Sequence, residues 1–342
     1  MKVLIVGGTG LISTAITRTL AQRGERVVLY NRGQREAELP AGVERIVGDR
    51  TAYTAFEEHM AQAGPFDCVI DMVCFKPEDA ESAVRAFRGR IGQYVFCSTV
   101  DVYAKPAAHY PIREGAERKP AASFPYAYRK AACERLLEEA HARGDFSVTM
   151  IRPAWTYGEG GSILHTFGWN TYFLDRLRKG KPVIVHGDGT SLWSACHRDD
   201  VGRAFAGAAG NERAFGKGYH VTGEEWMTWN AYTKVVAQAV GGPPPALVHI
   251  PSDLLGKVVP KAAEWCVENF SFNNIFDNAA ARTDLGFEYT TSFLEGARRV
   301  IEWLEGHGGF EDSDWHPFYD RIIAAWERLG EEMASDLDGL DA

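Results

Sequence analysis

The sequence predicts an α/β protein, built on a doubly wound parallel sheet with a smaller C-terminal lobe. Strand-like apolar runs alternate with helical patterns through roughly residue 155, and this alternation is typical of a parallel sheet with helices on both faces. The chain also opens with an apolar run, a glycine cluster and a helical pattern, which together are the usual start of a βαβ unit. Later segments follow a looser pattern, and we expect them to form the lobe over the strand ends, where such sheets bind ligands.

The first element is a strand, turn and helix within residues 2–23. Glycines in the turn at residues 7–10 would let the backbone approach a bound pyrophosphate, which the helix N-terminus attracts through its N–H groups and dipole. An ordinary tight turn is the alternative, but a second strand at residues 27–30 completes the βαβ unit and disfavours it. Ser13 stands where Gly or Ala is usual and is small enough for close packing. The cofactor contacts expected in this element are Gly7, Gly10, Leu11 and Ile12.

Length and composition limit the classes of protein to which this chain can belong. The chain has 342 residues, of which 45% are hydrophobic and 24% charged, as in a globular protein of one large or two modest domains. Its net charge of −9 disfavours attraction to nucleic acid or an anionic membrane. The six cysteines lack paired metal-type spacing, so we expect reduced thiols, no metal and a cytoplasmic location. Neither a signal peptide nor an apolar run of the ~18 residues that a membrane helix needs is visible.

Three segments are expected along the chain. Residues 1–155 form a dinucleotide-binding domain, to which later segments return, and residues 156–309 form mainly the substrate lobe. Residues 310–342, rich in aromatic residues and ending in acidic ones, form a helical C-terminal tail.

After the glycine turn, the second group of candidate functional residues is a tyrosine and a lysine. Tyr126 and Lys130 are four residues apart on a predicted helix and so share one face. A lysine ammonium beside a phenol favours the phenolate and should lower the pKa of Tyr126. Such a tyrosine can take a hydroxyl proton while hydride leaves the same carbon, or return it in reduction. A surface pair is the alternative, and the position of the helix between two strands favours the catalytic interpretation.

The tip of the second strand bears on the choice of cofactor. NAD-binding proteins commonly place Asp there to accept hydrogen bonds from the ribose hydroxyls. In this chain Asn31 removes a charge that would repel a 2′-phosphate, and Arg32 could pair with that phosphate. An exposed loop arginine is the alternative. We therefore favour NADP and leave NAD open.

With these motifs in place, the chain resembles an extended short-chain dehydrogenase/reductase of the NAD-dependent epimerase/dehydratase type, over roughly residues 1–305. The resemblance implies a Rossmann-type fold. The stretches that carry it are residues 7–10, Gly48-Asp49, residues 97–103, Tyr126 with Lys130, Arg152-Pro153, Tyr157-Gly158, residues 187–190 and residues 197–201.

The resemblance also implies roles for individual residues. Thr99 matches the catalytic Ser/Thr that binds the reacting oxygen, Tyr126 the proton-transfer tyrosine, and Lys130 the lysine that holds the nicotinamide ribose. Asp49, with the neighbouring Arg50, lies where the family contacts the adenine side of the cofactor, and Pro153 lies where its chain passes the nicotinamide.

Asp101 occupies a position at which dehydratases and some relatives carry an acidic residue for additional acid–base work. Those proteins usually have a longer acidic or hydroxyl pattern, whereas Val100 precedes Asp101 here. We expect a catalytic carboxylate, and a carboxylate that caps the loop is the alternative.

The substrate is less well defined. Many nucleotide-sugar members carry an arginine four residues after a Gly-Asp-Gly turn, and Trp193 stands there instead, so the substrate could be a sugar or polyol without a nucleotide. Ordinary packing is the alternative for each candidate lobe residue. The candidate substrate contacts are His165, Trp169, Asn170, Tyr172 and Trp193.

We therefore expect an NAD(P)-dependent oxidoreductase that acts on a hydroxyl-bearing carbon of a sugar or nucleotide-sugar-like small molecule. Epimerisation, dehydration and simple carbonyl reduction share this hydride chemistry, and the sequence does not choose among them. A non-catalytic dinucleotide-binding or RNA-associated protein is a second class, since the later segment also resembles chloroplast stem-loop-binding proteins. The acidic charge disfavours RNA, and a homodimer is left open.

Overall fold

The structure is a computed structural model that describes residues 1–35 and 37–340, so the last two residues of the expected C-terminal tail lie outside the described residues. The strands, in chain order, are β1 (Lys2–Val6), β2 (Arg26–Asn31), β3 (Glu44–Val47), β4 (Phe66–Asp71), β5 (Ile91–Cys97), β6 (Ser147–Pro153), β7 (Trp155–Tyr157), β8 (Val183–His186), β9 (Leu192–Trp193), β10 (Ala195–His197), β11 (Lys217–Val221), β12 (Met227–Thr228) and β13 (Leu247–Ile250). The α-helices are α1 (Leu11–Gln22), α2 (Tyr53–Gln62), α3 (Pro77–Phe87), α4 (Pro125–Ala142), α5 (Tyr172–Arg178), α6 (Arg198–Ala208), α7 (Trp229–Ala239), α8 (Ser252–Val258), α9 (Ala279–Leu285), α10 (Phe293–Gly306) and α11 (Phe318–Asp336).

The central sheet confirms the predicted fold class. Its seven strands are parallel and lie in the order β11-β6-β5-β4-β1-β2-β3. The chain order reverses between β1 and β4, which pair directly with each other in the middle of the sheet, while β2 pairs with the other side of β1. In open α/β sheets, ligands bind beyond the carboxyl ends of the strands at such a reversal. The tips of β1, β4 and β5 are therefore where the site is expected.

Burial on both faces explains the continuous apolar strands. Residues 3–6 of β1 are fully buried, as strands covered by helices on both sides must be. On one face α1 packs closely against α6, where a Cβ added to Gly202 would lie 2.8 Å from the Cβ of Ala15. A larger residue at position 202 would force the two helices apart.

The chain forms two compact units. The first comprises residues 1–158, 194–226 and 274–293 and contains the central sheet. The second comprises residues 159–193, 227–273 and the chain from 294 onward.

The second unit is built on two small sheets, the parallel pair β8–β13 and the antiparallel pair β9–β12. The C-terminal segment belongs to this unit rather than standing apart from it. The fully buried guanidinium of Arg176 on α5 donates to Asp320 on α11 at 2.7 Å, and Lys179 lies 2.9 Å from Asp314. None of the described helices combines the length and apolar character needed to cross a bilayer.

Buried histidines should make the stability depend on pH. Burial lowers the pKa of His165 and of His220 to about 3, and that of His186 to about 4. An unfolded histidine has a pKa of about 6.5, so below that pH the unfolded chain binds protons that the folded one does not, and stability is lost as the pH falls. Between pH 7 and pH 5 we expect a loss of about 2 kcal/mol for each of these histidines, measured by urea unfolding. His165→Gln should reduce this dependence and His109→Gln, at an exposed position, should not. Equal dependence in both variants would contradict the prediction.

Candidate active site

The turn after β1 has the backbone that a dinucleotide site needs. Gly7 and Gly8 adopt φ angles of 114° and 94°, in the left-handed region that favours glycine. A Cβ on Gly8 would also lie 2.5 Å from a methyl carbon of Leu29. Gly10 is the N-cap of α1, and its N–H donates to the buried Ser13 hydroxyl at 2.8 Å. Ser13 therefore does more than fit in a small space, because its side chain fixes the turn.

The tip of β2 is tied to this turn by a side chain. The Asn31 amide donates to the Gly7 carbonyl at 2.9 Å and accepts from the Gly33 N–H at 3.0 Å. Arg32 and Asp49 are exposed nearby. Hydrogen bonds from Thr51 chiefly lower the pKa of Asp49, and the positive charge of Arg32 contributes less. These residues fit the adenine-ribose end of a dinucleotide, and their contacts with it stay predictions.

Arg32→Ala should test the cofactor preference. A hydrogen bond to a charged group is worth about 1.5–3 kcal/mol, so the Kd for NADP should rise by roughly 10- to 100-fold while the Kd for NAD changes little. Titration with the reduced forms, NADPH and NADH, followed by nicotinamide fluorescence, measures both Kd values. Arg35→Ala, at an exposed neighbouring position, is the control. Equal losses for the two cofactors would leave Arg32 without a part in recognising the phosphate.

Arg50, predicted among the cofactor contacts, lies inside the unit. Its side chain is 6% exposed, its guanidinium lies 3.5 Å from Asp71 and 3.4 Å from Ser82, and it donates to the Asp79 carbonyl. The guanidinium also covers the Phe56 ring at 4.1 Å. It thus supports the interior beneath the strand tips, and a cofactor contact through it stays a prediction.

Asp71, at the end of β4, is a residue that the sequence reasoning missed. It is fully buried, and its carboxylate accepts from Tyr94 at 2.7 Å and from the Val73 N–H at 2.9 Å. These bonds fix the loop after β4. In the same loop Cys74, which follows Val73, accepts a hydrogen bond from Lys130 through its backbone carbonyl. In the sequence, the signal that could have identified Asp71 is an acidic residue at the end of an otherwise mostly apolar strand.

Lys130 lies at the tips of β4 and β5. Its ammonium donates to the carbonyls of Cys74 and Cys97 at 2.9 and 2.7 Å, and its side chain is 1% exposed. The rings of Phe75 and Phe96 lie 4.6 and 4.8 Å from it. The Cys97 carbonyl belongs to β5 and the Cys74 carbonyl to the loop after β4, so the ammonium joins that loop to the end of β5.

Thr99, Asp101 and Tyr126 are brought together at the tip of β5. The Thr99 hydroxyl donates to the Asp101 carboxylate at 2.9 Å and accepts from the Asp101 N–H at 3.2 Å. It is also hydrogen bonded to the Tyr126 phenol. Tyr126 and Lys130 lie one turn apart on α4. The three residues matched to the family's catalytic set and Asp101 thus occupy one place, while their catalytic roles stay predictions.

The electrostatics of Tyr126 differ from the expectation. Burial raises the pKa of Tyr126, and the Asp101 carboxylate and Cys97 raise it further, against the opposing hydrogen bond from Thr99. The expectation of a lowered pKa for Tyr126 is therefore wrong for the structure described, in which the net direction is upward. The main physical reason is burial of the phenol, followed by the nearby Asp101 carboxylate, while the ammonium of Lys130 is held by two carbonyls. At neutral pH the phenol is protonated and able to donate.

A buried polar network supports the same helix. Glu134, one turn after Lys130, is fully buried. Its two carboxylate oxygens accept from Nε and Nη2 of Arg152, at 2.7 and 2.9 Å. Arg152 also donates to the Tyr103 hydroxyl at 2.7 Å, which lies 2.6 Å from a ring nitrogen of His220. This network joins α4 to β6 and β11. Pro153, the predicted nicotinamide neighbour, follows directly as the buried last residue of β6.

The predicted substrate contacts lie in the second unit. His165 is buried against the ring of Phe173, and its two ring nitrogens are bonded to Asn170 at 3.0 Å and Tyr319 at 2.9 Å. Trp193 is 4% exposed and packs on other aromatic rings, whereas Trp169 is 46% exposed. Tyr172 is partly buried and stacks on His316. Their contacts with a substrate stay predictions, with packing already accounting for His165 and Trp193.

Comparison with known proteins gives a consistent result. The model of the NAD dependent epimerase/dehydratase family matches residues 3–222. The chain is 28% identical to 2′-dehydrokanamycin reductase of Streptomyces kanamyceticus over 92% of this chain and 87% of that protein. It is 28% identical to the chloroplast stem-loop binding protein of 41 kDa b of Arabidopsis thaliana, over 72% of this chain and 65% of that protein.

A solved structure shares the fold. UDP-glucose 4-epimerase from Bifidobacterium longum, in complex with NAD⁺ and UDP, has a TM-score of 0.71 at 17% identity, covering 92% of this chain and 100% of that one. The family match extends over more than half of the chain, and it includes the glycine turn, the strand tips and the helix that carries Tyr126 and Lys130. The chain thus belongs to the NAD-dependent epimerase/dehydratase family, as an NAD(P)-dependent enzyme of the short-chain dehydrogenase/reductase type.

Proposed function

We propose that this enzyme transfers hydride at a hydroxyl-bearing carbon of a sugar or nucleotide-sugar-like substrate, with NADP favoured over NAD. The observation that carries the proposal is the grouping of Thr99, Tyr126 and Lys130 at the tip of β5. Tyr126 would exchange a proton with the substrate oxygen as hydride moves to or from the same carbon. Lys130, held by the carbonyls of Cys74 and Cys97, would hold the nicotinamide ribose.

The cofactor site is proposed from the first unit alone. The left-handed glycines and the N-terminus of α1 suit a pyrophosphate. Asn31 offers no negative charge at the β2 tip, and Arg32 is exposed beside it. These two features support NADP, since a 2′-phosphate would be attracted rather than repelled.

Carbonyl reduction is the second candidate within the same chemistry. It is favoured by the protonated state of the phenol, because burial and Asp101 oppose its ionisation and a reductase needs a proton donor. The similarity to 2′-dehydrokanamycin reductase over 92% of this chain also supports it. Epimerisation or dehydration would begin with oxidation and would require the phenolate first.

The experiment is a single-turnover screen. The purified protein is mixed with NADP⁺ or NAD⁺ and with UDP-glucose, dTDP-glucose or a free polyol, and separately with NADPH or NADH and a keto sugar. Absorbance at the reduced-nicotinamide band reports hydride transfer, and NMR of the product separates epimer, dehydrated sugar and alcohol. Turnover that disappears in Tyr126→Phe supports the proposal. Cofactor binding without any turnover, or selective binding of stem-loop RNA, would overturn it in favour of a non-catalytic protein.

A further inference from the structure

Helix α11 carries apolar side chains on a face that its own unit leaves largely uncovered. Tyr319 and Ile323 are buried and attach the helix to the unit. Residues three and four apart lie on one face of a helix, so a second apolar set forms a continuous stripe. Within this set Leu329, Met333 and Leu337 are 46%, 60% and 50% exposed. The apolar stripe comprises Ile322, Trp326, Leu329, Met333 and Leu337, the residue that caps the helix.

The first three residues of the apolar stripe line a cleft within the second unit. The cleft has a volume of about 660 Å³, and Ile322, Trp326 and Leu329 form part of its wall. Another part comes from Leu254 and Val258 of α8, and Val258 is 55% exposed. Apolar surface of this extent, continued by the exposed last two residues of the stripe, is typical of a site that binds another molecule.

A charged stripe runs along α11 directly beside the apolar stripe. Arg321 and Arg328 come first along the helix, and Glu332 and Asp336 follow. With Ala325 between the arginines, these positions repeat the spacing of the apolar stripe one residue earlier, so they share one flank of it. All four charged side chains are exposed. The flank is therefore positive towards the start of the helix and negative towards its end.

We propose that this surface binds a second copy of the chain, with the two α11 helices antiparallel across a twofold axis near Leu329. Such an axis brings the same surface of each copy together. It places Arg321 of one copy opposite Asp336 of the other. Arg328 likewise lies opposite Glu332, and the axis repeats both pairs. A parallel arrangement would instead place like charges opposite each other, which is unfavourable.

The apolar stripe pairs with itself in the same register. Leu329 meets its own counterpart at the axis, and Trp326 lies opposite Met333. Ile322 lies opposite Leu337, so the exposed end of each stripe enters the cleft of the other copy beside α8. The charged and the apolar residues thus favour one register, although either set alone would define it. The inference does not depend on the proposed function.

Sedimentation equilibrium of the full chain at about 100 μM tests the dimer. We expect a mass of twice the 37.8 kDa of one chain. Leu329→Asp combined with Met333→Asp should raise the dimer dissociation constant by roughly 100-fold or more, because each copy would bury two unpaired carboxylates. Ala334→Asp, at an exposed position of the same helix outside both stripes, should leave the constant unchanged. Circular dichroism checks that each variant is folded.

Charge reversal tests the orientation and supplies a second set of variants. Arg321→Glu with Arg328→Glu should weaken the dimer by roughly 10-fold or more, since acidic side chains then face Asp336 and Glu332. Adding Glu332→Arg and Asp336→Arg reverses the whole flank and should restore the wild-type dissociation constant. A parallel pair would place like charges together in all three proteins, so its dissociation constant would not follow this order.

The outcomes separate this dimer from other uses of the cleft. Selective loss in the variant of the apolar stripe, with recovery on full charge reversal, supports the proposal. A monomeric wild type would overturn it and leave the cleft to a small apolar molecule. A dimer unchanged in Leu329→Asp with Met333→Asp would overturn it as well, because another face would then hold the copies together. An equal loss in Ala334→Asp would also overturn it, since the stripe would then have no special part.

Discussion

Tyr126→Phe is expected to lower turnover by about 10² to 10⁴-fold while leaving the fold and cofactor binding intact. The substitution removes only the phenol oxygen, whose proton must reach or leave the substrate oxygen as hydride moves. The ring of Tyr126 is retained, and Lys130 keeps its two carbonyl partners, which do not involve the phenol. Stopped-flow absorbance at the reduced-nicotinamide band and cofactor titration measure the two properties separately.

Tyr128→Phe provides the matched control. Tyr128 lies two residues further along α4 and is 49% exposed, so its hydroxyl should not matter for turnover. Near-normal rates in Tyr126→Phe would remove the phenol from the mechanism. Equal losses in both variants would point to damage of the helix rather than to lost proton transfer.

The parts of this site that local sequence could predict are those built from neighbouring residues. The turn at residues 7–10 follows from an apolar strand, glycines and a helical pattern within one short segment. The shared face of Tyr126 and Lys130 follows from helical spacing alone. The parallel sheet follows from repeated strand–helix alternation, because each crossover must bring the next strand back in the same direction.

The electrostatics of the site could not be predicted in this way. Whether Lys130 faces the phenol or the strand-tip carbonyls depends on β4 and β5, which meet it only in the folded sheet. The same holds for Arg50, whose sequence neighbour Asp49 is exposed while its own side chain joins Asp71 in the interior. The bond between Lys105 and Asn274 spans 169 residues of sequence. Side-chain roles that depend on contacts of this kind require the register of the whole sheet.

The candidate substrate residues of the second unit also depend on contacts that only the folded chain shows. His165 was singled out because aromatic faces suit sugar rings, and Trp193 because it stands where many nucleotide-sugar members carry an arginine, but each ring is packed among other aromatic rings of its own unit. Residue type indicates what a side chain could bind, and burial decides whether that surface is available. Of the substrate candidates, Trp169 retains the largest exposed surface, at 46%.

Glu134→Leu should destabilise the first unit by about 3–5 kcal/mol, because removing one partner leaves the other as an uncompensated buried charge. Arg152 is 3% exposed and Glu134 is fully buried. Burial alone would raise the pKa of Glu134, and the attraction and hydrogen bonds of Arg152 hold it below its usual value. The pair therefore remains ionised in the interior, and its loss should lower the urea midpoint followed by circular dichroism.

Glu138→Leu is the control that separates a buried pair from a surface one. Both glutamates accept from Arg118 at 2.7 Å, but Glu138 is 44% exposed, so its loss should cost at most about 1 kcal/mol. Adding Arg152→Met to Glu134→Leu removes the stranded charge and should recover a large part of the loss. If the double variant were no more stable than Glu134→Leu alone, the stranded guanidinium would not be the cause. Glu134 lies two turns after Tyr126 on α4. If the double variant recovered both stability and turnover, the role of the Glu134–Arg152 pair would be to hold this helix against β6.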